Sequence, residues 1–194
     1  MFGVEGVVSA VDALLRARMP AKLAELRGRY GIVDASLPDI RRYQTHELES
    51  PIAIDQAPLV IIAERSSDTL RGPNRVTDDG LGGSVFAYRY GLVVVGYARG
   101  KDFPSTAAAR QRYGLALREC LLQTPGIGPG DPGLIVLRPE SIRESYSEVS
   151  RQPRTRNVLA AVAIELLYDT QEHLPALRAP LGQAQVPADL GLTP

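Results

Sequence analysis

The chain is poor in the residues that site chemistry usually needs. Cys120 is the only cysteine among 194 residues, so no disulfide can form within the chain and no cysteine-based metal site can be built. His46 and His173 are the only histidines, and they stand far apart in polar segments. A thiol nucleophile would need Cys120 beside one of them. Cys120 instead falls on the apolar stripe of a helical segment, where it reads as a small core residue. Tryptophan is absent, and Lys22 and Lys101 are the only lysines. The many arginines, alanines, glycines and prolines fit a GC-rich coding bias better than a demand for guanidinium chemistry.

Other absences narrow the function classes. No G-x-S-x-G nucleophile elbow occurs. GIGPGDPG at 126–133 looks superficially like a phosphate loop, but it follows a helix and lacks the G-K-[ST] ending. Its prolines also remove backbone donors, so it reads as a turn. Asp78 and Asp79 lack the regular spacing of a calcium loop and read as solvated acids. No catalytic residue, cofactor or metal is therefore expected, and the chain is not expected to be an enzyme. No apolar run approaches the length of a membrane span. MFGVEGVVSAVDALL lacks a basic leader and carries Glu5 and Asp12, so it does not read as a signal peptide, and a cytoplasmic origin is expected.

The 22 basic and 22 acidic residues cancel, which argues against bulk nucleic-acid binding. Their distribution is uneven. Residues 31–83 hold nine acids and five bases, whereas residues 84–124 hold six bases and two acids. Such a split suits complementary faces that meet across a repeated subunit contact.

Hydrophobic residues make up 44% of the chain, enough for one domain with an extra arm. Val4, Val7, Val8, Val11, Leu14 and Leu15 predict a helix over about 3–18, ended or kinked by Pro20, with a second helical stretch near Leu23, Leu26 and Tyr30. Residues 31–57 read as loop, with a helical turn near Asp39–Tyr43. LVIIA at 59–63 predicts a short buried strand. Residues 66–84 are rich in glycine, proline, asparagine and aspartate and read as a long loop. VFAYRYGLVVVGYA at 85–98 is the strongest strand signal, with Gly91 marking a bulge or bend.

Asp102, Ser105 or Thr106 caps the next helix, whose stripe is Tyr113, Ala116, Leu117, Cys120 and Leu121. Leu134–Leu137 starts a strand that continues toward Val149. RQPRTR at 151–156 is a basic turn, and VLAAVAIELLY at 158–168 suits either a helix or a strand, with pairing to the preceding segment favouring a long antiparallel hairpin. From Gln171 the composition shifts to an extended proline-rich arm. The expected fold is α+β: a mostly antiparallel four-stranded sheet packed with helices in the order α-β-β-α-β-β. It forms one domain over 1–170, followed by an arm over 171–194.

This pattern resembles the tail terminator, or tail-completion, proteins of long-tailed double-stranded DNA phages. The resemblance runs over roughly residues 4–170 and is carried by the amphipathic N-terminal helix, the strand at Leu59–Ala63, and the segments VFAYRYGLVVVGYARG, RQRYGLALRECLLQTPGI, IRESYSEV and NVLAAVAIELLYDT. Within the helix, Tyr113, Leu117, Arg118, Leu121 and Leu122 follow the run R-x-x-Y-x-x-x-L-R-x-x-L-L.

The resemblance implies a virion protein that closes as a homo-hexameric ring, caps the tail tube at its proper length and offers a surface to the head-tail connector. DNA would pass through the lumen without specific binding, and no membrane is involved. On that reading Arg71, Asn74, Arg75, Asp78 and Asp79 of the 66–84 loop, with Arg151, Arg154 and Arg156 of the basic tip, are the candidate contacts to tube or connector. Leu174, Leu177 and Leu181 of the arm are the candidate clasp on a neighbouring subunit. The nearest alternative is a head-closure or connector protein of the same virion. A non-viral binding module and an enzyme with a dispersed site stand further off.

Overall fold

The computed structural model describes residues 3–45, 56–69, 75–78, 84–128, 135–151 and 157–174. The chain opens with helix α1, Gly3–Tyr30. Pro20 lies inside it and does not break it. Pro20 is exposed, while Val7, Val8, Val11, Leu15, Met19, Leu23 and Leu26 keep one buried stripe running past it. A proline within a helix costs about 3 kcal/mol. Burying one Leu or Met side chain contributes about 1.5–3 kcal/mol, so Met19, Leu23 and Leu26 together outweigh it. Of the two expected outcomes, an end or a kink at Pro20, the end is thus corrected: the helix runs on past Pro20 to Tyr30. Its end is set by Gly31, at φ +61°. Ile32 N–H donates to the Arg27 carbonyl and Gly31 N–H to the Gly28 carbonyl, the paired bonds of a Schellman cap.

A 3-10 turn at Asp34–Ser36 follows, then strand β1, Arg42–Gln44, where a helical turn was expected. Strand β2 is Leu59–Thr69, β3 is Arg75–Asp78 and β4 is Ser84–Gly100. Much of the expected 66–84 loop is thus strand. The polar run Ser66–Thr69 is held in the ladder by pairing with Tyr88–Gly91 of β4. The irregularity expected at Gly91 falls on the partner strand instead, where register shifts between Glu64 and Ser66, the residue opposite Gly91.

Helix α2 is Phe103–Leu122. Asp102 is its N-cap and accepts from Ser105 N–H at 2.8 Å. All five residues of the expected stripe are buried. Strands β5 (Gly126–Ile127), β6 (Ile135–Tyr146), β7 (Ser150–Arg151) and β8 (Val158–Leu174) complete the described fold. Strand β8 continues past residue 170, where the arm was expected to begin, because Gln171–Leu174 pair with Ser84–Ala87.

The fold is α+β, with two described helices and one mixed sheet of eight strands in the order β1-β2-β4-β8-β6-β5. Strand β3 pairs with β4, and β7 pairs with β8. The four long strands are those expected. The count of four is not matched, because runs of two to four residues such as β1, β3, β5 and β7 are too short to show a period. The pairing of β1 with β2 is parallel and all the others are antiparallel.

Alternation along the central strands decides where the core sits. Leu92, Val94 and Ala98 of β4 and Val162, Ile164, Leu166 and Tyr168 of β8 join the stripes of both helices in one buried cluster. Two glycines let α2 approach closely. A Cβ on Gly96 would lie 2.9 Å from Leu117 Cδ1, and one on Gly114 would lie 3.1 Å from Val162 Cγ2. An ion-pair chain also ties the two helices. The nearly buried Lys22 reaches Glu25 at 2.6 Å and Glu119 at 3.2 Å, and Glu119 also takes Arg29 at 3.1 Å.

Candidate interaction surfaces

The structure places few of the expected contact residues. Arg71, Asn74, Asp79, Arg154, Arg156, Leu177 and Leu181 lie outside the described residues. Arg75 and Asp78 are in β3, paired with Phe86 and Ser84 of β4. Leu174 ends β8 opposite Ser84. Arg151 is exposed at the start of the basic turn, with its guanidinium 5.7 Å from the centre of the Phe103 ring. Arg75 and Arg151 therefore attach to different strands, β4 and β8, and the described residues do not bring the whole candidate set into one cluster.

The sheet face away from the helices is apolar at one end and charged at the other. Leu59, Ile61 and Ala63 of β2 are aligned with Tyr97, Val95 and Val93 of β4, and these with Ala161, Ala163 and Glu165 of β8. Leu59, Ile61 and Ala63 are buried and the flanking β4 and β8 residues are half-buried. Glu165 starts the charged end and pairs with Arg65. Beyond Leu167 on the same face, Asp169 takes Arg89 Nε at 2.7 Å and Arg138 Nε at 2.5 Å. Burial pushes the Asp169 carboxyl up, but the hydrogen bonds from the two guanidiniums prevail and hold it below its ordinary value.

On the helix side, a groove of about 330 Å³ runs between α2 and the β6 edge. Its rims are Tyr30, 49% exposed, and Tyr146, 47% exposed. Arg112 stacks over the Tyr30 ring at 5.6 Å and Arg110 over the Tyr146 ring at 5.2 Å. Arg118 pairs with Glu144 at 2.8 Å, and the Tyr146 hydroxyl donates to the same carboxylate at 2.6 Å. Among the described residues Arg112 has no carboxylate partner. Sequence reading missed Tyr30 and Tyr146, which are distant in the chain. The excess of bases over 84–124 was the one signal that pointed toward α2.

A second hollow, about 510 Å³, lies at the start of α2 and is lined by Arg41, Arg99, Lys101, Asp102 and Asn157 among others. Asp102 occupies the place an anion would take at the helix end. Hydrogen bonding from Ser105 holds its carboxyl below its ordinary value.

Chemistry elsewhere is sparse. Cys120 is buried with its sulfur 3.7 Å from Met19 Sδ, and burial pushes the thiol up to about 11. The buried Tyr90 hydroxyl donates to the buried Glu172 carboxylate. Among the described residues, no group of three or more His, Cys, Asp or Glu side chains gathers as a metal site. No described helix is long and apolar enough to cross a membrane.

No protein-family model matches the chain, and no curated protein matches it. Among solved structures it is similar to a chain of the virion of a native gene transfer agent particle. The two are 16% identical, the alignment covers 87% of this chain and 99% of that chain, and the TM-score is 0.36. A likeness of that strength carries no argument about what this chain does.

Proposed function

We propose that this chain is a non-enzymatic structural protein of a tailed, phage-like virion. On this reading it closes as a six-subunit ring on the end of the tail tube, stops tube polymerisation and presents a surface to the head connector. DNA passes through the ring lumen. One observation carries the reading. The segments that resemble tail terminators fold as α1, the start of β2, β4, α2, the second half of β6, and β8, and these pack on one another as a single unit. A cap needs a rigid sheet rather than a reaction centre, and the packed frame of β4, α2, β6 and β8 suits that demand.

Deleting the gene from its parent genome and viewing the lysate by electron microscopy tests the reading. The expected outcome is tubes of uncontrolled length beside separate filled heads. Tails of normal length beside unjoined heads would move the protein to the connector side of the neck. Normal particles would overturn the virion role.

A further inference from the structure

The sheet ends in two edges that are only partly covered among the described residues. On one side β5 pairs with only Ile135 and Val136 of β6, and Leu137 N–H donates to the Pro125 carbonyl. Pro139 and the register shift between Arg138 and Arg143 blunt the next stretch. The outer edge from Ile142 to Tyr146 has no strand partner among the described residues. On the other side β1 pairs with β2 only at Leu59–Ile61, so the outer edge of β2 beyond Ile61 has no strand partner among the described residues.

An acid on the β2 edge and a base in the groove beside the β6 edge each lack an oppositely charged partner among the described residues, while Glu144 of that groove is taken by Arg118. Glu64 pairs in register with the buried core residue Leu92, so it stands on the helix side of the sheet, where it is exposed. It has no cation partner among the described residues. At the opposite edge, Glu144 and Tyr146 pair with the core residues Ile164 and Val162 and also stand on the helix side, beside the groove. That groove holds Arg112, likewise without a carboxylate.

Strand directions agree with this pairing. Strands β2 and β8 both run antiparallel to β4, and β6 runs antiparallel to β8. Strand β6 therefore runs antiparallel to β2. A second copy set beside the first, with its helices on the same side, brings its β2 antiparallel against β6. Repeated head to tail, such a contact closes into a ring.

We propose that the β6 edge at Ile142–Tyr146 is a docking site for the β2 edge of a second copy of this chain, with Glu64 of that copy entering the Tyr30–Tyr146 groove to meet Arg112. Backbone pairing supplies the shared ladder and the ion pair sets the register. The inference deepens the ring reading above and rests on it for its biological setting, though the contact itself is tested on the isolated protein.

The test is the mass of the full chain by light scattering over a range of concentrations, with circular dichroism confirming that each variant folds. Wild type is expected to associate. Arg112→Glu and Glu64→Arg are each expected to raise the dissociation constant at least about ten-fold. The double variant Glu64→Arg/Arg112→Glu is expected to recover most of the loss. A monomeric wild type overturns the docking site, as does association unchanged in both single variants or a double variant weaker than either single. Gene deletion then judges the virion role separately: a ring that forms beside normal particles keeps this contact and removes that role.

Discussion

Asp169 shows how one residue holds the charged end of the sheet together. It sits on central strand β8 directly across from Arg89 of β4 and takes both Arg89 and, from β6, Arg138. Asp169→Asn leaves two guanidiniums without their shared anion. It is expected to cost about 1.5–2 kcal/mol, the lower part of the range for hydrogen bonds to charged groups, because water still reaches both arginines. The measurement is the thermal midpoint, with a drop of several degrees expected. The sign with pH follows from the depressed carboxyl. Its stabilisation is fully present above the unfolded-state value of about 3.9 and is lost as pH falls through the lower folded-state value. The gap between wild type and Asp169→Asn should therefore stay constant through neutral pH and close in strong acid. A gap that instead widened on acidification would show that the carboxylate is not what the arginines hold.

At the scale of elements, the contact between α2 and the sheet depends on two missing side chains. Gly114 lies inside a helix, where glycine is unfavourable by about 1 kcal/mol relative to alanine. Gly96 lies inside a strand, and each is placed where a Cβ would crowd the opposite layer. Gly96→Val should push against Leu117, which is fully buried, and destabilise the fold by about 1–3 kcal/mol, read as a lower urea midpoint. An unchanged midpoint would mean that α2 rides higher over β4 than the structure shows.

The same elements explain what the sequence made legible. The α2 stripe and the alternation in β4 and β8 are long enough for their periods to be seen. In β2 only Leu59–Ala63 is apolar, so the polar remainder is held by its neighbour and not by its own pattern. Pro20 misled because burial on the far side of the helix counts for more than the local penalty. The basic face of α2 was visible in the charge count, but its tyrosine rims were not. Tyr30 and Tyr146 come together only through the packing of α1 and β6 against α2.

For the molecule as a whole, β8 is the common support. It pairs with β4 along its full length, with β6 on its other edge and with β7 at its start, while one face carries the core under α2. Helix α1 meets that same core through α2 and β2 and has no separate cluster of its own. Neither helix can therefore leave without exposing the apolar face of the central strands. The described part of the chain should then unfold as one cooperative unit. With no tryptophan and eight tyrosines, of which Tyr113 and Tyr168 are almost fully buried, tyrosine fluorescence reports the packing between helices and sheet. Far-UV circular dichroism reports the backbone. The two signals are expected to trace a single coincident transition in urea. A tyrosine signal that changes at lower urea than the backbone signal would show that the helical layer separates from the sheet before the sheet unfolds, and β8 would then not be the element that unites them.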